Sequence, residues 1–142
     1  NKRVSIASGF RYTTNWDKRF IISKNRRFYL DLNYKNRFIK RLSYYIRNRW
    51  QSQTYTDGYR MTFRQKCSLS YNIRKTKIRP EIASEYFYSL NNGFNKLRST
   101  ISVSHPITEK LDFDLSYRIQ QEFYVNNPET LFIFEGKISY NL

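Results

Sequence analysis

The sequence predicts an all-β fold: eight antiparallel strands running up and down, closed into a transmembrane β-barrel. Three observations predict it. Apolar and polar residues alternate with period two almost from end to end, while no stretch keeps a helical period. Only four glycines and three prolines interrupt 142 residues, and no low-complexity tract divides them, so residues 1–142 read as one domain. The apolar register of the strands, finally, holds no Lys, Arg, Asp or Glu.

The first strand carries Val4, Ile6, Phe10 and Tyr12 on that register, and the second Phe28, Leu30, Leu32 and Tyr34. The third carries Leu42, Tyr44, Ile46 and Trp50; the fourth runs from Tyr59 through Met61, Phe63, Cys67, Leu69 and Tyr71 to Ile73. Ile78, Ile82, Tyr86, Tyr88 and Leu90 mark the fifth, and Leu97, Ile101 and Val103 the sixth. The seventh has Leu111, Phe113, Leu115, Tyr117, Ile119 and Phe123, and the eighth Phe132, Phe134, Ile138, Tyr140 and Leu142. Aromatic and β-branched side chains suit a pleated surface, which supports each assignment. The weaker members of the register, among them Asn48, Ser84, Ser99 and Gly136, are uncharged too. Short basic turns are expected near Asn36–Lys40, Arg74–Thr76 and His105–Lys110. Longer polar loops are expected at Thr13–Arg26, Thr54–Gly58, Asn91–Asn95 and Val125–Glu129, where Asn, Asp, Gly and Pro gather. The segment "WDKRFIISK" reads either as an extension of the first hairpin or as a short strand of its own.

Charge occupies the opposite register. It holds Arg11, Asp31, Lys35, Arg47, Arg49, Arg60, Arg64, Glu81, Glu85, Asp112, Asp114, Arg118 and Glu122, together with Arg3, Lys66, Arg79, Arg98 and Glu135. A soluble barrel would turn the apolar register inward, whereas a membrane barrel turns it toward lipid and keeps a polar lumen. The rings decide between them. Most of the eleven Phe and thirteen Tyr lie on the apolar register, and an eight-stranded interior has room for few of them. A cation facing lipid at mid-depth costs about 2–4 kcal/mol, which explains why charge is kept off that register. The expected lumen is therefore a network of guanidinium and carboxylate groups. Trp16, Tyr34, Tyr44, Trp50, Tyr88 and Tyr124 are expected at the strand ends, where amphipathic rings settle at a membrane interface.

Composition raises competing readings. Twenty-six Lys plus Arg against eleven Asp plus Glu give a formal charge of +15, which suggests nucleic acid or an anionic surface. Single-strand-binding sheets, however, mix aromatic and basic residues on one face, and here they are segregated; no nucleic-acid partner is expected. One cysteine excludes an internal disulfide, and there is no Cys/His cluster at metal-ligand spacing, so neither metal nor cofactor is expected. No apolar run approaches the roughly 20 residues of a membrane helix, and no signal peptide opens the chain. It begins with Asn1 rather than Met, so a processed or omitted N-terminal part is expected.

Catalytic candidates are few. His105 in "SVSHPI" neighbours Ser102 and Ser104, and a His with a Ser can form an activated nucleophile. Alternation places His105 on the apolar register and both serines on the other, so they cannot share a proton. The acids Glu81, Glu85, Asp112, Asp114 and Glu122 read as ion-pair partners of the arginines rather than as an acid-base pair or a calcium site. No enzyme is expected.

"LFIFEGKISYNL" closes the chain with Phe134, Ile138, Tyr140 and Leu142 on one face, and resembles the carboxy-terminal insertion signature of outer-membrane barrels. Those barrels usually finish on Phe, and Leu142 departs from that. "RRFYLDLNYKNRF", "LSYYIRNRWQSQ", "RPEIASEYFYSL" with "FNKLR", and "LDFDLSYRIQ" resemble, over nearly the whole chain, the small outer-membrane barrels of Bacteroidota grouped as domain-of-unknown-function family 2490. The resemblance implies the outer membrane of a Gram-negative bacterium, with short turns toward the periplasm. Members are generally longer, which implies ten to twelve strands if an N-terminal part is missing. The expected function is a non-enzymatic accessory subunit, with outer-membrane lipid and other outer-membrane proteins as partners. The alternatives are a small anion-permeable pore and a lipid-modifying barrel enzyme.

Overall fold

The computed structural model describes residues 3–16, 22–55, 58–90 and 93–140. These form eight strands: β1 (Val4–Trp16), β2 (Ile22–Ile39), β3 (Leu42–Tyr55), β4 (Gly58–Tyr71), β5 (Arg79–Ser89), β6 (Gly93–Pro106), β7 (Leu111–Glu122) and β8 (Thr130–Tyr140). Each pairs antiparallel with its chain neighbour, in the order β1 to β8. The fold is thus all-β and up-and-down, in a single sheet curled into a half-barrel. Every strand has at least 11 residues, and a tilted membrane strand needs about 9–11.

The ring is open. Among the described residues β1 and β8 pair only with β2 and β7, leaving one free edge on each. The inner face carries Tyr29, Tyr45 and Phe87 besides its long arginines.

The inner face is polar and the outer face apolar. Buried residues include Asp31, Gln53, Ser68, Glu85, Ser116 and Gln120, with Phe87 as the buried hydrophobic among them. On the other face Ile6 and Phe134 are each 72% exposed, and Phe10, Ile82, Ile101, Phe132 and Ile138 are exposed as well. Concavity shows directly in side chains that meet across an intervening strand: Arg47 on β3 reaches Glu85 on β5, past β4, at 2.9 Å.

Several boundaries differ from expectation. Most of Thr13–Arg26 is strand: β1 and β2 extend the first hairpin to the pair Trp16–Ile22, while β3 stops pairing at Arg26. This longer β2 puts Lys24 and Arg26 on the apolar register beyond Phe28, so charge returns where the hairpin rises past its neighbour. The connections also fail to sort by length. One end of the sheet has 40–41, 72–78 and 107–110; the other has 17–21, 56–57, 90–92 and 123–129. Loop length therefore does not orient the sheet. Finally, β6 begins at Gly93 rather than after Asn95, and a bulge between its pairings with Phe87 and Tyr88 shifts parity, bringing Phe94 opposite Tyr88 on the apolar face.

Candidate functional site: the concave charged face

Strand register brings the charges together. Asp31 on β2 lies directly opposite Arg49 on β3. Arg49 donates from Nε and Nη2 to its two carboxylate oxygens, at 2.6 and 2.7 Å, in a bidentate pair. The Arg49 guanidinium also lies 4.2 Å from the centroid of the Tyr29 ring. Tyr29 in turn crosses the strand beneath it at Gly9, where a Cβ would come within 2.3 Å of the ring. Only glycine leaves space there.

Glu85 on β5 is the hub. It is 5% exposed, and three guanidinium groups from three strands donate to it. Arg47 Nη2 and Arg64 Nη2 each reach Oε1 at 2.9 Å, and Arg98 Nη1 reaches Oε2 at 3.5 Å. Arg64 and Arg98 flank Phe87, with 4.5 and 5.1 Å from guanidinium carbon to ring centroid. Stacking on a ring lowers the cost of holding a cation away from water. Arg98 is further fixed by donating Nη2 to Gln120 Oε1 at 2.6 Å. The hub is short of acceptors: Nε of Arg47 and of Arg64 are buried without a hydrogen-bond partner among the described residues.

Other charges surround this centre. Lys66 pairs with Glu81 at 3.0 Å, Lys96 with Glu122 at 2.7 Å, and Arg118 with Glu135. Lys137 stands 4.0 Å from Asp114. Asp112 and Arg60 lie on the same register, opposite Ser139 and Gln53. Lys35 faces Tyr45 across the β2–β3 ladder. Arg11 faces Arg27 near the other end and is exposed, so it stands apart from the hub.

The aromatic candidates divide by end. On the convex face Tyr34 and Tyr44 pack at 5.7 Å with hydroxyls 3.3 Å apart, and Asn36 Nδ2 donates to both. Trp50, Phe63, Tyr88 and Phe94 are successive cross-strand neighbours, a ring row across β3 to β6 near the opposite end, continued by Phe123 stacked on Phe94. Tyr124 lies in the 123–129 connection, almost fully exposed at φ 54°. The side chain of Trp16 and all of Leu142 lie outside the described residues. Phe134, Ile138 and Tyr140 point outward from β8. His105 is exposed on the convex face opposite Phe113, with Ser102 and Ser104 on the concave side. No cluster of three or more His, Cys, Asp or Glu suited to a metal ion occurs among the described residues.

Phe87, Tyr29, Gln53, Gln120, Lys96 and Lys137 were not legible as part of this network, nor were Gln51, which accepts from Arg64 Nη1 at 3.3 Å, and Tyr45, whose hydroxyl donates to Asn33 Oδ1 at 2.6 Å. Three of them are rings on the polar register, which period-two reading assigns to no role. The pairing of Glu85 with three strands depends on the curl of the sheet.

A family model described as "Protein of unknown function (DUF2490)" matches residues 1–130. The chain belongs to this family. No curated protein and no solved structure matches it. The DUF2490 match spans β1 to β7 and therefore includes the whole Glu85 hub.

Proposed function

We propose that this DUF2490 chain is the wall of an outer-membrane β-barrel and serves, without catalysis of its own, as an accessory subunit of a larger outer-membrane assembly. One observation carries the reading: buried charge on the concave face and exposed rings and aliphatics on the convex face. In water this arrangement would expose a continuous apolar surface far larger than the few hundred Å² usual on soluble monomers. In a bilayer it places each group in its preferred surroundings. Unpaired backbone groups cost several kcal/mol each in hydrocarbon, so the free edges of β1 and β8 call for further strands, whether of this protein or of a partner. The separation of His105 from Ser102 and Ser104 by the thickness of the sheet argues against a nucleophilic site there.

Mild-detergent extraction from native membranes tests both parts. The protein should resist alkaline washing of the membrane and migrate on size exclusion with other outer-membrane proteins. Release by alkali would contradict the membrane placement, and migration alone would contradict the accessory role. The concave surplus of positive charge favours a second reading, an anion-permeable lumen, which predicts stepwise currents in planar bilayers.

A further inference from the structure

The charged groove exceeds what holding the sheet together requires. Between β3 and β8 the concave face encloses a groove of about 350 Å³. Six cationic side chains line it, Arg47, Arg64, Lys66, Arg98, Arg118 and Lys137, against four carboxylates. That leaves a surplus of two positive charges. Hydroxyls of Thr100, Ser102, Ser104 and Ser116 complete the lining and supply neutral donors. A network built only to neutralise itself would match cations with acids one to one; here three guanidiniums share the single carboxylate of Glu85. Arginine forks fixed by Phe87 and Gln120 are pre-organised to donate, and the acceptors are too few.

We propose that this groove binds a small, multiply charged oxyanion of the phosphate or pyrophosphate class, held by the Arg98 and Arg118 side with Lys137 at its mouth. Such a ligand brings two or more negative charges, which matches the surplus, and acceptor oxygens on every side, which matches the lining. The volume lies at the small end of the range typical of ligand sites, which suits a small anion. The proposal goes beyond the accessory role and stands on the groove alone, whatever surrounds the convex face.

Isothermal titration of the detergent-purified full chain with inorganic pyrophosphate, at low ionic strength and with chloride as control, tests it. Saturable one-site binding is expected. Two variants outside the hub, at exposed Lys137 and partly exposed Glu135, should move affinity in opposite directions: Lys137→Gln weakens binding about fivefold, and Glu135→Gln, which removes a competing carboxylate, strengthens it about as much. Absence of saturable binding to pyrophosphate overturns the proposal. Binding that neither variant changes also overturns it, since the anion would then lie elsewhere.

Discussion

The two faces of the sheet invert the usual division of a protein. The concave face is polar and enclosed, built around Asp31, Glu85, Gln53 and Gln120; the convex face is apolar and open, from Ile6 on β1 to Phe134 on β8. The inner face is held by directional contacts with defined partners. The outer face is held by ring contacts and, among the described residues, the small Tyr34–Tyr44–Asn36 cluster of hydrogen bonds, and it is otherwise open. The difference teaches that the sheet is half of a solvation problem: its polar half is solved internally, and its apolar half needs hydrocarbon or another protein.

The largest effect should come from the inner face. Replacing Glu85 by Ala leaves three guanidiniums converging on empty space, and breaking a buried ion pair of this kind costs about 3–5 kcal/mol. Urea unfolding of the protein in lipid vesicles measures it. A cost below about 1 kcal/mol would mean that water solvates the hub. The outer face gives the next effect: Ile101→Arg should cost about 2–4 kcal/mol in vesicles, while Thr100→Arg, one residue away on the concave face, should cost much less. Equal costs would erase the distinction between the faces.

Gly9→Ala sharpens the comparison at a single contact. The added methyl meets the Tyr29 ring at 2.3 Å, and displacing that ring disturbs its stacking on Arg49, for an expected loss of about 1–3 kcal/mol. Combining Gly9→Ala with Tyr29→Ala should remove the clash, so the two losses should be less than additive in a double-mutant cycle. The smallest effect is expected at the rim. Glu135→Gln breaks a pair with Arg118 that is partly exposed on both sides, and should change stability by less than about 1 kcal/mol.

The division into faces was legible because side-chain direction in a strand follows parity, and the apolar register carries no charge along the body of the sheet. Strand number and order followed from the same periodicity. The connections were less legible, since Thr13–Arg26 carries turn-forming residues yet continues as a paired hairpin, and a two-residue link such as 56–57 looks in sequence like a longer loop. Phe94, expected in the Asn91–Asn95 loop, lies in β6, where one bulge near Asn95 reverses the direction of the side chains before it. Membership of the charge network was legible in part. Asp31 and Glu85 could be assigned to the polar face, but not their arginines, because Arg49 sits beside Asp31 only through the β2–β3 register and Arg47 meets Glu85 only through curvature. Phe87 and Tyr29 were missed for a related reason: a ring that supports a guanidinium is chemically at home on a polar face, and composition alone does not announce it.

Ile101 and Ser102 are neighbours in β6 that point to opposite faces, with Ile82 and Tyr117 flanking the first and Glu81 and Ser116 the second. Nitroxide labels on cysteines placed at each position in turn, in a Cys67→Ser background reconstituted in lipid, test the inversion most directly. The label at Ile101 should be readily relaxed by oxygen and shielded from a water-soluble nickel chelate, and the label at Ser102 should show the reverse preference. Equal accessibility at the two positions, or nickel contact at Ile101, would contradict the assignment of the convex face to hydrocarbon.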